Sequence, residues 1–262
     1  MKLIRWARDA REEVEDVLAV EEPLEIRIAE RSLAVVMRTP GNDRELVAGF
    51  LVTEGIVADR SDLLDLVHCD PDGEDEARPN VMIVHLAPRV RIDWARLARH
   101  TFASSSCGLC GKASIDAVRT VAPPLAAGAV PARAVLESLP RVLREHQQGF
   151  SLTGGVHASG IFGTDGSLVA MREDVGRHNA LDKVIGWALL AGRLPLSHCM
   201  LLVSGRVSFE IMQKALMAGI PTIAAVSAPT SLAVEFARES GQTLVGFVRG
   251  DRMNVYAGTI QG

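Results

Sequence analysis

Apolar and charged residues alternate from Leu24 to Ile28, the period of a half-buried strand, and Leu33 to Met37 forms a second apolar run. Thr39-Pro40-Gly41-Asn42-Asp43 is a turn, with Asn42 or Asp43 placed to cap the helix that follows. That helix is predicted from Glu45 to Ala58, with Leu46, Phe50 and Leu51 on one face and Gly49 allowing close packing. Asp70 to Asn80 is acidic and carries Pro and Gly, so it reads as a surface loop, and Val81 to Leu86 reads as a strand. These elements make a small α+β unit of about 100 residues, a workable size for a domain. Helices are predicted from Asp93 to His100 and Ala113 to Val121. Ala122 to Pro131, with three prolines and a glycine, is a connection. Ala132 to Gln148 is helical, with Pro140 expected to force a kink or break.

From Ser151 the pattern becomes a regular alternation. Strands are predicted at Leu168 to Met171, Met200 to Val203, Thr222 to Val226 and Leu244 to Val248, with a short last one at Asn254 to Tyr256. Helices separate them at Arg177 to Leu190, Ser208 to Ala218 and Ser231 to Glu239. This order predicts an α/β fold with a largely parallel sheet and right-handed crossovers. The chain therefore divides into a small N-terminal unit, residues 1–100, and a larger α/β unit, residues 101–262.

Composition narrows the function classes. Hydrophobic residues make up 48% and charged residues 23%, ordinary for a soluble globular protein. Net charge is −4 and aromatics are 4%, so nucleic acid is not an expected partner. No apolar stretch reaches the ~20 residues of a membrane helix. Met1 to Glu15 is charged throughout and lacks an apolar signal core, so a cytoplasmic protein is expected. The four cysteines would then remain thiols.

Candidate chemistry gathers where strands hand over to helices. Glu173-Asp174-Val175-Gly176-Arg177-His178-Asn179, Ser204-Gly205-Arg206 and Ser227-Ala228-Pro229-Thr230 all fall at carboxyl ends of predicted parallel strands. Ligands of open α/β sheets bind there, and helix N-termini offer N–H groups to anions. Phe247-Val248-Arg249-Gly250-Asp251-Arg252 ends the last long strand and adds two arginines. A ligand with several phosphates would use Arg177, Arg206, Arg249 and Arg252 together, although Ser, Asp and Asn at such junctions also serve as plain caps. Neither GxGxxG nor a Walker lysine loop is present, which argues against a nicotinamide or ATP fold. Around His178 the polar groups exceed what a capped helix start needs; a surface ion-pair network is the alternative.

Two further motifs concern sulfur and zinc. His157-Ala158-Ser159 has the outline of the zinc-deaminase His-x-Glu, but Ser159 replaces the proton-moving glutamate and the cysteine pair precedes the histidine. Cys107 and Cys110 lie in Ser104-Ser105-Ser106-Cys107-Gly108-Leu109-Cys110-Gly111-Lys112, a small, polar, glycine-rich stretch. A Cys-x-x-Cys pair can be half a zinc site, a dithiol couple or a sulfur-bearing thiolate. Cys69 and Cys199 stand alone and are expected to be buried and inert, which argues against a closed four-cysteine zinc site. Lys112 and the next helix start could lower a thiol pKa on the loop.

Together these segments resemble the formate dehydrogenase accessory family of FdhD-type sulfur carriers. The matching stretches are Glu45 to Ile56, Ser105 to Gly111, Thr153 to His157, Glu173 to Lys183, Ser204 to Arg206 and Phe247 to Arg252. The resemblance implies a larger domain like that of cytidine deaminases, a three-layer αβα arrangement without zinc chemistry, and a homodimer. It implies that sulfur arrives as a persulfide from a cysteine desulfurase on Cys107, with Cys110 assisting. The sulfur then passes to a molybdenum (or tungsten) bis-molybdopterin guanine dinucleotide cofactor before insertion into formate dehydrogenase. Phe247, Val248, Arg249, Gly250, Asp251 and Arg252 are the segment carried over for that cofactor, with Arg177, His178, Ser204 and Arg206 as further candidates. No metal of the protein's own is expected. The alternatives are a non-catalytic cofactor chaperone and a zinc-dependent deaminase-like hydrolase.

Overall fold

The computed structural model describes residues 1–7, 10–69, 78–94, 123–125 and 129–262. The predicted helices at Asp93 to His100 and Ala113 to Val121, most of the acidic loop and the Cys107–Cys110 stretch lie wholly or largely outside the described residues.

The N-terminus forms an antiparallel ribbon of β1 (Lys2–Ala7) and β2 (Ala10–Glu15). A four-stranded sheet follows, built from β3 (Glu22–Ile28), β4 (Arg31–Arg38), β5 (Leu63–Cys69) and β6 (Arg78–Leu86) in the order β4-β3-β6-β5. Helix α1 (Asp43–Thr53) covers its inner face.

Helix α1 is shorter than expected and is not capped by a side chain. Asn42 occupies the N-cap position in the left-handed region (φ 58°), and the Asp43 carboxylate instead forms two 2.9 Å hydrogen bonds with Arg38. Gly55 (φ 71°) stops the helix: its N–H reaches the Val52 carbonyl and the Ile56 N–H the Leu51 carbonyl, both at 2.9 Å, the double closure that glycine at this position permits.

The larger sheet contains β7 (His157–Gly163), β8 (Leu168–Asp174), β9 (Cys199–Val203), β10 (Thr222–Ala225), β11 (Thr243–Arg249) and β12 (Arg252–Ala257). Their order is β12-β11-β10-β9-β7-β8. The expectation of a largely parallel sheet needs correction. Only the β9–β10 and β10–β11 pairings are parallel, because β7 runs antiparallel between β8 and β9. Strands β8 to β11 still point the same way, so their carboxyl ends share one rim.

Helix α2 (Arg133–His146) packs Leu136, Leu139 and Leu143 onto one face of this sheet. Pro140 lies within it and does not end it; anchoring on three buried leucines outweighs the lost hydrogen bond. The chain breaks instead at Gln147, and the short α3 (Gln148–Thr153) begins. Helices α4 (Arg177–Leu190), α5 (Phe209–Met217) and α6 (Ser231–Ser240) cover the opposite face.

One apolar cluster runs from the small sheet through α1 into α4, α5 and α6. Two glycines allow the crossing of α1 and α4. A methyl on Gly49 would sit 1.8 Å from the Asp182 carbonyl oxygen, and one on Gly186 would sit 1.8 Å from that of Glu45. One ion pair crosses this seam, Arg172 bidentate to Glu45. Lys183 and Asp174, 2.7 Å apart and both buried, lie on the larger unit's side and bond the Thr39 carbonyl and N–H across it.

Candidate functional site

Five strands contribute to the rim. Strands β8, β9, β10 and β11 end there and β7 begins there, placing Asp174, Val203, Ala225, Arg249 and His157 along one edge. Ser204 fastens two of these strands: its hydroxyl accepts the Ala158 N–H at 2.9 Å, and its own N–H reaches the Ala158 carbonyl at 3.0 Å. Glycine at 205 then lets the chain pass close to His157, since a methyl there would meet Nδ1 of His157 at 3.3 Å and Cδ of Arg177 at 3.9 Å. His157, Arg177 and the Ser204–Arg206 loop are therefore neighbours.

The dense polar run after β8 divides by task. The Glu173 carboxylate accepts the Gly149 and Phe150 N–H groups at 2.7 and 2.8 Å, which fixes the start of α3. Asp174, fully buried, accepts from the Gly176 N–H at 2.8 Å, from Asn179 at 3.1 Å and from the Thr39 N–H at 3.1 Å, besides pairing with Lys183. Asn179 also donates to the Met37 carbonyl at 2.7 Å. Glu173, Asp174 and Asn179 thus hold elements together, while Arg177 and His178 lie at the rim.

Electrostatics there favour anions. His157 has its pKa lowered by burial first, then by Arg177 and Arg206, against the pull of Asp174. His178, in the first turn of α4, places Nε2 3.0 Å from the Glu210 carboxylate and 3.4 Å from the Ser208 hydroxyl. That carboxylate favours the imidazolium, yet burial, Lys214, Arg177 and His157 prevail and hold the pKa down to about 3. The rim's positive charge therefore belongs to its arginines. Beneath it Lys214 is bound by Asp182 at 2.8 Å and by the Thr53 hydroxyl at 2.9 Å. Burial works against that ammonium, but Asp182, Glu54 and Glu210 outweigh it and raise its pKa. Burial lifts the Asp182 carboxyl's pKa, against Lys214 and the hydrogen bonds from Nζ and the Thr53 hydroxyl.

Phe247 to Arg252, the segment expected to bind cofactor, mixes buried and exposed positions. Val248 is fully buried against α2, a core role rather than the expected ligand contact. Phe247 takes a positive φ of 53° where the β11–β12 pairing shifts register, a conformation that costs energy for a bulky residue. This bulge sends Arg249 outward, with Nε 3.2 Å from the Val226 carbonyl. Gly250 (φ 56°) and Asp251 form the turn, and Arg252, exposed, faces Arg249 across it. Four interstrand spacings of about 4.8 Å separate β11 from β8, so the rim between these strand ends is about 19 Å long.

Cys107 and Cys110 lie outside the described residues. Cys69 and Cys199, expected to be buried, are half-buried, and burial raises the Cys199 thiol's pKa against Arg193. Among the described residues, no group of three or more His, Cys, Asp or Glu is placed to hold a metal ion, and no helix is long and apolar enough to cross a membrane. Glu210, Lys214 and Asp182 were not legible as site residues, although the charges of Glu210 and Lys214, one turn apart in the apolar helix Phe209–Met217, are a signal.

The sequence profile of the FdhD/NarQ family matches residues 19–261. The chain is 54% identical over 261 residues to the sulfur carrier protein FdhD of Streptomyces coelicolor, covering 98% of this chain and 93% of that one. It is 54% identical over 248 residues to the Mycobacterium tuberculosis protein of the same name, covering 92% and 90%. A crystal structure of a proposed formate dehydrogenase accessory protein from Desulfotalea psychrophila superposes with a TM-score of 0.77 at 25% identity, covering 98% of this chain and 96% of that one.

Proposed function

The chain belongs to the FdhD/NarQ family, and from that premise we propose that it carries sulfur for the maturation of formate dehydrogenase. The thiolate of Cys107 attacks the terminal sulfur of a cysteine desulfurase persulfide; that S–S bond breaks and the donor leaves as a thiolate. The thiolate of Cys110 then attacks the inner sulfur of the Cys107 persulfide. The two cysteines become a disulfide, and the outer sulfur leaves as hydrosulfide for the metal of the bound bis-molybdopterin guanine dinucleotide. A cellular dithiol restores the cysteines. Molybdenum or tungsten here is cargo.

The observation that carries this reading is the convergence of Arg177 and Arg206 on His157, with Arg249 and Arg252 further along the same rim. A long ligand with phosphates near both ends suits that spacing. In this reading residues 1–100 form the small unit, and the larger unit from residue 101 is a three-layer deaminase-like sandwich that carries the cysteine loop at its start. The protein works as a cytoplasmic homodimer, with no nucleic-acid or membrane partner.

Mass spectrometry after incubation with a desulfurase and cysteine tests it. One added sulfur is expected on the peptide bearing Cys107 and Cys110, and none with Cys107→Ala. Full formate dehydrogenase activity supported by the Cys107→Ala protein would overturn the assignment.

A further inference from the structure

Arginine at the rim only donates hydrogen bonds, and one neighbouring group is built to accept. Nε2 of His178 faces the Glu210 carboxylate at 3.0 Å. A carboxylate only accepts, so in the neutral ring Nε2 carries the proton and Nδ1 keeps its lone pair. Charged groups on the elements around the ring act on it in both directions. Helix α4 supplies Arg177 and Asp182, and α5 supplies Glu210 and Lys214 with Ser208 at its cap. His157 faces it from β7, Asp174 of β8 is neutralised by Lys183, and Thr53 and Glu54 at the end of α1 hold Lys214 from behind. About a quarter of the His178 side chain is exposed (24%), enough for a ligand to reach it.

A neutral lone pair gains nothing beside a phosphate oxygen, which also accepts. It is satisfied by an N–H, O–H or S–H. We propose that His178 is the rim's hydrogen-bond acceptor, taking a donor hydrogen from the bound ligand, with Glu210 and Lys214 as positioning residues that fix the ring's proton on Nε2. The ligand must then combine phosphate oxygens for the arginines with a donor hydrogen for His178. The donor's identity, and only that, rests on the sulfur-carrier reading: it is the S–H of a persulfide or a ring N–H of a nucleobase or pterin.

Ring-nitrogen NMR of the full-length protein tests the acceptor directly. The Nε2–H tautomer is expected, with no titration between pH 5 and 8. Glu210→Ala should admit the Nδ1–H form, and the paired change Lys214→Met with Asp182→Asn should move the ring's titration upward. A wild-type Nδ1–H tautomer, or a ring that titrates in that window, overturns the proposal. Calorimetry with diguanosine pyrophosphate, whose charge is constant over this range, and persulfide loading of Cys107 then identify the donor. His178→Gln keeps the bond to Glu210 and loses the acceptor, while His178→Asn keeps an amide oxygen near the Nδ1 position. A drop of about tenfold in affinity for His178→Gln, rescued by His178→Asn, assigns the donor to the nucleobase. Unchanged affinity with slower loading assigns it to S–H; no change in either overturns the proposal. A wild type that binds no dinucleotide and takes no sulfur defeats the sulfur-carrier reading, whereas the NMR outcome is independent of it.

Discussion

Two polar regions lie a few residues apart in sequence and behave oppositely. At and beside the seam prominent charges meet counter-charges at short range: Arg172 with Glu45 across it, Arg38 with Asp43 on the small side, Lys183 with Asp174 on the large side. At the rim, positive charge from Arg177 and Arg206 accumulates around His157 and depresses its pKa. The run Glu173 to Asn179 feeds both regions. The seam's charges are paired at short range, whereas at the rim the arginines' field is felt by a neighbouring imidazole. Sequence proximity does not distinguish the two.

The seam should break hardest at its glycines. Gly49→Val forces a side chain into the Asp182 carbonyl, 1.8 Å from the first added carbon, and backbone cannot rotate away. A loss of about 4 kcal/mol or more is expected, measured by urea unfolding, which places this among the exceptional single substitutions. A cost under about 1 kcal/mol would mean that α1 and α4 do not cross so closely. Lys183→Met comes next. It strands the Asp174 carboxylate, 0% exposed, and should cost about 3–5 kcal/mol. A neutral result would show that this pair contributes little to holding the sheets together.

Much of the seam was readable in advance. Gly49 stood out in an otherwise apolar helix, and α4 runs from Arg177 to Leu190 as its periodicity predicts. Strand β7 was not readable, because His-Ala-Ser-Gly-Ile-Phe-Gly shows no polar–apolar alternation and carries three small residues in succession; it is covered on both faces by helices. Missing β7 made the sheet look more parallel than it is. The rim was legible as arginines at strand ends. Its sorting was not, since Glu173 finds its partners 23 and 24 residues away and His178 finds Glu210 across a crossover. Val248 was misread because strand residues beside a binding turn alternate between core and rim.

The rim should answer to charge without loss of fold. Arg206, exposed, can be reversed to Glu with little change in the urea midpoint. Affinity for diguanosine pyrophosphate should fall about 10- to 100-fold, the size of a lost charge-assisted contact made repulsive. Arg249→Glu should act in the same direction. Unchanged affinity in both would move the anion site away from this rim and remove the contrast with the seam.

The smallest effect separates the regions by proton count. His178 has a pKa of about 3 when folded, against about 6.5 when unfolded. Between those values the unfolded chain binds a proton that the folded chain refuses, so stability rises with pH across this window. The ring's contribution is complete above about pH 7 and falls by about 1.4 kcal/mol per pH unit as pH drops from 6.5 toward 3. His157, also lowered, has the same sign. The exposed Asp59 and Asp65 and the half-buried Asp62, held low chiefly by hydrogen bonds, add stability that is lost only at more acid pH. His178→Asn should therefore flatten the stability slope between pH 5 and 6.5 by about 1 kcal/mol per unit. That slope counts protons, so it is independent of whatever packing the substitution loses, and an unchanged slope would place the ring's neutrality in doubt. Gly49→Val, which removes no titrating group, lowers stability at every pH in that window and should leave the slope alone. Slope against offset in the same titration is thus the sharpest test of whether rim and seam are two kinds of polar structure or one.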